Sequence, residues 1–188
     1  MLKDKQIVLC CRSKTGFTAV YMEWIRNYLK ERFGALATLM EPGELKKADF
    51  SQCDLLIYGG GLYAGKINGL DEVKKRIKGF PKTQVILFAT GLSQGRPEEL
   101  ERVWKANLKA REMQRFYVFY FRGGFDFDRL DRGDRLLMRL MKKKLERESG
   151  LSSEGKEMLA AFEKPVDFTN REALGPLIEL LEKMDQGL

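Results

Sequence analysis

Histidine does not occur in this chain of 188 residues. Its absence removes the usual imidazole base, the Ser-His nucleophile arrangements and the commonest metal ligand. Cysteine is scarce as well. The three present, Cys10, Cys11 and Cys53, form no Cys-x-x-Cys pair and no disulfide framework, which points to a reducing cytoplasm. Cys10 and Cys11 stand in an apolar run and read as strand packing rather than redox chemistry. No apolar stretch approaches the length that spans a bilayer, and the charged segment Met1 to Gln6 leads straight into that first run, so no signal peptide is expected. Any demanding redox chemistry would have to come from a bound cofactor.

Positive charge, by contrast, is in excess, with a formal net charge of +7. Such a balance favours an anionic partner, whether nucleic acid, a membrane surface or an acidic substrate, and does not choose among them.

The most informative stretch is Arg12-Ser13-Lys14-Thr15-Gly16-Phe17-Thr18, between the apolar run Ile7 to Cys11 and a segment with helical spacing that opens near Ala19 and runs to Phe33. At a strand-to-helix turn the first N–H groups of the helix lack partners inside it and the helix dipole is positive, so a phosphate can dock. Ser13, Thr15 and Thr18 add three hydroxyl donors, and Gly16 allows close approach of the backbone. The lysine ending of a triphosphatase loop and the Gly-x-Gly-x-x-Gly pattern are both missing. An ordinary capped turn would use the same residue types.

Further along, Ala35 to Met40, Asp54 to Tyr58, Gln84 to Ala89 and Phe116 to Phe121 read as four more strands, with helices expected at Leu70 to Lys78, from Pro97, and at Asn170 to Met184. Strands alternating with helices imply a doubly wound α/β protein with a five-stranded parallel sheet. In strand order 2-1-3-4-5, the turns after the first, third and fourth strands converge on one ligand at the carboxyl edge of the sheet. The glycines at 59 to 61 are compatible either with a flexible turn or with backbone groups meeting the edge of a flat ring.

Ser13 to Thr18 fits Ser/Thr-x-Thr-Gly-x-Thr at every fixed position, and here the chain resembles the flavodoxins. The resemblance implies a flavodoxin-like fold and FMN as cofactor. It assigns Ser13, Lys14, Thr15, Gly16, Phe17 and Thr18 to the phosphate, and Gly61, Leu62, Tyr63, Ala64, Gly65, Thr90, Gly91, Leu92 and Ser93 to the isoalloxazine ring. Flavodoxins usually carry an aromatic residue in the third loop, where this chain has Leu92. A thinner aromatic sandwich in a basic protein would disfavour the reduced anionic flavin less and raise its potential.

Residues 122–166 are longer than a connection needs and read as a helical insertion, after or within the fifth strand, in a single domain of residues 1–188. A helix is expected at Leu130 to Glu148, with Leu130, Leu136, Leu137, Leu140, Met141 and Leu145 on one face and Arg132, Arg135, Arg139, Lys142 and Lys143 on the other. A second is expected at Ser153 to Phe162. The basic face suits either solvent or peripheral contact with an anionic membrane.

The run Asp134 to Lys142, with Val166-Asp167-Phe168-Thr169 before the last helix, resembles the insertion of the bacterial flavodoxin-type, quinone-linked protoporphyrinogen dehydrogenases. That resemblance implies an FMN oxidoreductase acting on a small organic molecule, porphyrinogen or quinone, with Arg122, Arg132 or Arg135 available to its acidic groups. Two alternatives stay open, a one-electron carrier for a protein partner and a flavin-free basic binding module. Nucleic acid is disfavoured, because the basic residues lie on one helix without interleaved aromatics.

Overall fold

The computed structural model describes residues 1–147 and 153–187, so Glu148 of the expected insertion helix lies outside the described residues. The sheet is built from β1 (Ile7–Arg12), β2 (Ala37–Leu39), β3 (Leu55–Tyr63), β5 (Gln84–Gly91) and β6 (Phe116–Arg122), in the order β2-β1-β3-β5-β6, with the two-residue β4 (Lys66–Ile67) folded back on β3. All pairings in this sheet except β3 with β4 are parallel. Counting the five parallel strands alone, this is the expected order 2-1-3-4-5. The order in which the chain adds strands across the sheet reverses between β1 and β3, which places a ligand crevice at their carboxyl ends.

Side chains alternate across the central strands because successive residues of a strand face opposite sides. Leu55, Ile57, Ile86 and Phe88 go to one face, where α1 (Phe17–Phe33) and α7 (Gly175–Asp185) bury Tyr21, Ile25, Leu29, Leu177 and Leu181. Leu56, Tyr58, Val85, Leu87 and Ala89 go to the other, covered by α2 (Leu70–Ile77) and α3 (Pro97–Asn107) through Leu70, Val73, Ile77 and Trp104. A short helix α4 (Ala110–Arg115), not anticipated from sequence, follows α3 and leads into β6.

β3 runs five residues past the expected strand end at Tyr58. Gly59 and Gly60 are therefore strand residues, not a flexible turn. A Cβ on Gly59 would lie 2.3 Å from the Phe88 ring, and one on Gly60 2.5 Å from Ile67, so close packing demands glycine at both. The turn comes later, at Ala64 (φ 48°) and Gly65 (φ 77°), the two positive-φ positions that a tight antiparallel hairpin requires.

The insertion leaves the end of β6 through β7 (Gly124–Phe125), continues as α5 (Arg132–Arg147) and α6 (Ser153–Ala161), and returns as β8 (Val166–Asp167), which pairs antiparallel with β7. The segment before the last helix thus closes a small separate ladder beside the main sheet. A 3-10 turn at Arg171–Leu174 precedes α7, where the sequence suggested one continuous helix.

Candidate functional site at the carboxyl edge of the sheet

The first loop turns on Gly16, which sits at φ 97° as the N-cap of α1. Only glycine holds that conformation cheaply. Its N–H donates to Ser13 Oγ at 3.1 Å, so Ser13 shapes the loop from within. The N–H groups of Phe17, Thr18 and Ala19 open α1 and have no carbonyl a turn back in the helix. Thr18 is buried, and its hydroxyl shares a 2.8 Å hydrogen bond with that of Thr90. Of the three hydroxyls expected to face a phosphate, one therefore shapes the first loop and one ties that loop to the third, leaving Thr15 the most available.

Two cations flank this loop. Lys14 Nζ lies 2.5 Å from Asp134 Oδ1 and 4.0 Å from the centre of the Tyr63 ring. Arg129, from the insertion, donates to the Thr15 carbonyl at 3.2 Å. The sequence suggested a cradle of mainly neutral donors with Lys14 beside them, and Arg129 was not foreseen because its approach depends on how the insertion folds back.

The second loop is the β3–β4 hairpin. Asn107, buried at the end of α3, accepts from the Ile67 N–H at 2.9 Å and donates to the carbonyls of Gly65 and Val103 at 2.8 Å each, clamping the hairpin to α3. Tyr63 projects from it and donates its hydroxyl to the Asp134 carbonyl at 3.0 Å. Burial, followed by the Asp134 charge, pushes the Tyr63 phenol up to about 12. It stays neutral and a hydrogen-bond donor across the physiological range.

In the third loop Ser93 accepts from the Gly95 N–H at 3.0 Å and donates to Glu99, while Tyr120 donates to the Ser93 carbonyl at 2.8 Å. Arg122, expected to be available for a substrate, is instead built in. Its guanidinium donates to the Leu92 carbonyl at 3.0 Å and to Glu157 of α6 at 2.8 Å, and lies over the Phe168 ring. Arg135 likewise turns back on the carbonyls of Leu130 and Asp128.

These loops surround one cavity of about 270 Å³, near the lower end of the range for small-molecule sites. Of the residues singled out in the sequence, Lys14, Thr15, Phe17, Thr18, Gly61, Leu62, Tyr63, Ala64, Gly65, Thr90, Gly91, Leu92 and Ser93 line it; Ser13 and Gly16 do not, and support the loop from behind. Asn68 and Tyr120 also line it, together with Gly123, Gly124, Phe125, Leu130, Met138, Met141 and Met158 from the insertion and its approach. Gly123 to Phe125 were findable, since they follow a strand at the same sheet edge. The methionines were not, because periodicity alone does not say which side of an amphipathic helix faces inward. Phe125, Leu130 and Met138 form a buried apolar cluster against Tyr63 and Leu92, so the insertion roofs the second and third loops.

Residues 8–152 match the sequence model described as the flavodoxin domain. The chain belongs to the flavodoxin domain family. Among solved structures this flavodoxin-like chain is similar to a flavoprotein in complex with FMN from Lactobacillus acidophilus NCFM, at 14% identity over 63% of this chain and 92% of that one, with a TM-score of 0.40. It is similar to the Trp repressor binding protein of Bacillus subtilis, at 14% identity over 72% and 94%, with a TM-score of 0.42. A flavodoxin from the domain Archaea is 10% identical over 84% of this chain and 99% of that one, with a TM-score of 0.40. No curated protein matches the flavodoxin-like chain.

The donor set at the flavodoxin-type first loop suits a phosphate dianion. Three helix-opening N–H groups, the Thr15 hydroxyl, Lys14 and Arg129 all stand at one corner. The remainder of the wall is mainly apolar, with a few placed polar groups, as a flat heteroaromatic ring requires.

Proposed function

We propose that the protein is an FMN-dependent oxidoreductase in which the insertion forms the binding wall for a small organic substrate. The observation that carries this reading is the convergence of the three loops and the insertion on a single cavity. The N–H groups of Phe17 to Ala19, the Thr15 hydroxyl and Lys14 would hold the FMN phosphate at the first loop. Gly61 to Gly65 and Thr90 to Ser93, with Tyr63 and Leu92 among them, would hold the ring. When bound, FMN supplies two-electron chemistry to a chain without histidine.

The side chains bind, orient and exclude water. Phe125, Leu130, Met138, Met141 and Met158 present an apolar, adaptable surface on the side of the cavity away from the sheet. This surface suits the apolar body of an organic molecule of the porphyrinogen or quinone class, which the likeness of residues 134–142 and 166–169 to the quinone-linked protoporphyrinogen dehydrogenases also suggests. An electron carrier does not require a roofed cavity, and the net charge of +7 would restrict its partners to acidic proteins.

Anaerobic mixing of the FMN-loaded protein with a porphyrinogen, followed by a short-chain quinone, tests the assignment. Bleaching of the flavin absorbance and its recovery on quinone addition are expected, with Met138→Ala raising the KM several-fold while leaving FMN affinity within about twofold. Flavin that neither compound reduces or reoxidises, but that a flavoprotein reductase reduces in one-electron steps, would establish the carrier instead.

A further inference from the structure

The sequence put the leucines and Met141 of α5 on one face and the cations on the other, and the structure divides the apolar set, turning Leu136, Leu137 and Leu140 outward and Met141 to the cavity. Leu136 is 61% exposed, Leu140 57% and Leu137 41%, whereas Met138 is 7% exposed and faces the cavity. Leu136 and Leu140 are one turn apart and share a stripe along the solvent side of the helix. Arg132, Arg139, Lys143 and Arg147 are exposed on the same side, with one carboxylate, Glu146, at its edge, 4.0 Å from Lys142. Among the described residues none of these four has a carboxylate within ion-pair range, whereas Lys142 on the inner flank reaches Glu163 at 3.5 Å. Two of the five cations read from the sequence as one basic face, Arg135 and Lys142, are thus committed inside the protein.

We infer that the outer face of α5 is a docking surface for anionic phospholipid, with Leu136 and Leu140 entering the acyl boundary and Arg132, Arg139, Lys143 and Arg147 meeting the phosphates. Charge decides the occupant. A second copy on this face would set four cations and a single carboxylate, Glu146, against the same net-positive set, whereas lipid headgroups neutralise the excess. Leucines amid arginine and lysine on one side of a helix make the pattern that lies in a membrane interface rather than across it, and no helix among the described residues is long and apolar enough to span. Because Met138 and Met141 of the same helix line the cavity, docking would set the site one helix diameter from the lipid. The inference is read by partitioning and does not depend on which substrate the cavity takes.

Co-sedimentation of the full-length protein with phosphatidylcholine vesicles, with and without phosphatidylglycerol, tests it. Binding is expected to the anionic vesicles at low salt and to weaken as salt is raised. Leu136→Ser with Leu140→Ser is expected to lower the partition coefficient about tenfold or more at unchanged circular dichroism, and Arg139→Gln with Lys143→Gln to lower it and flatten the salt dependence. Should the serine pair fail to fold, Leu140→Trp gives an independent reading, its added emission shifting to the blue and being quenched by brominated lipid. Absence of binding to anionic vesicles, a serine pair that partitions like wild type, an unshifted emission from the introduced indole, or a concentration-dependent dimer abolished by the serine pair would each overturn the proposal.

Discussion

Thr15 and Thr18 are both threonines of the first loop, yet the structure gives them different work. Thr18 is buried against Thr90 and couples the first loop to the third, so Thr18→Ala is expected to lower stability as well as ligand affinity. Thr15→Ala removes a loop hydroxyl at the cavity wall and should weaken FMN binding about tenfold, with the urea midpoint unmoved, as flavin fluorescence titration would show. Asn107 makes a sharper case. Its truncation to alanine leaves the Ile67 N–H and the Gly65 carbonyl without their side-chain partner, at a cost of about 1–3 kcal/mol in urea unfolding, and frees the hairpin that carries Tyr63. The first loop, between β1 and α1, was legible in the sequence because it is one contiguous stretch. Asn107 was not, since its role exists only where α3 meets the β3–β4 hairpin.

At the scale of elements, the insertion is held to the sheet edge by its first helical turn. Asp134 engages Lys14 through Oδ1 and receives the Tyr63 hydroxyl on its carbonyl, while its Oδ2 is buried without a hydrogen-bond partner. A half-satisfied buried carboxylate is a weak point in a closure, and a phosphate arriving at the first loop competes for the same lysine. Asp134→Ala is therefore expected to raise the FMN association rate several-fold and to speed amide exchange throughout α5; unchanged values for both would show that the tie is not rate-limiting. The same contacts explain why the apolar face drawn from the sequence is divided in the structure. An apolar arc spanning half a helix is compatible with two orientations, and the Lys14–Asp134 pair and the bonds from Arg135 to Leu130 and Asp128 turn the methionines inward. The main strands, in contrast, were legible because both their faces are covered, so near-continuous apolar runs mark them wherever they occur. β3 escaped in part, its last stretch being glycines required by Phe88 and Ile67.

For the molecule as a whole, the buried thiols set its response to alkali. Burial pushes Cys10 up to about 12 and Cys53 to about 11 from an ordinary 9.0, with Cys11 raised in the same direction. Above pH 9 the unfolded chain loses these protons before the folded one does. The contribution is complete below that pH and declines as pH rises toward the folded-state values. Each of the two buried thiols should cost about 1 kcal/mol at pH ~10, visible as a lower urea midpoint than at neutral pH, and serine at both positions should flatten the decline.

The claim on which the functional reading stands is that the corner between β1 and α1 grips a phosphate carried by a flavin. Titration of the full-length protein with FMN and with riboflavin, which lacks the phosphate, tests it most directly. FMN is expected to bind at least about 100-fold more tightly, a difference erased largely by Thr15→Ala combined with Lys14→Ala. Equal affinity for the two flavins, or none for either, would contradict it.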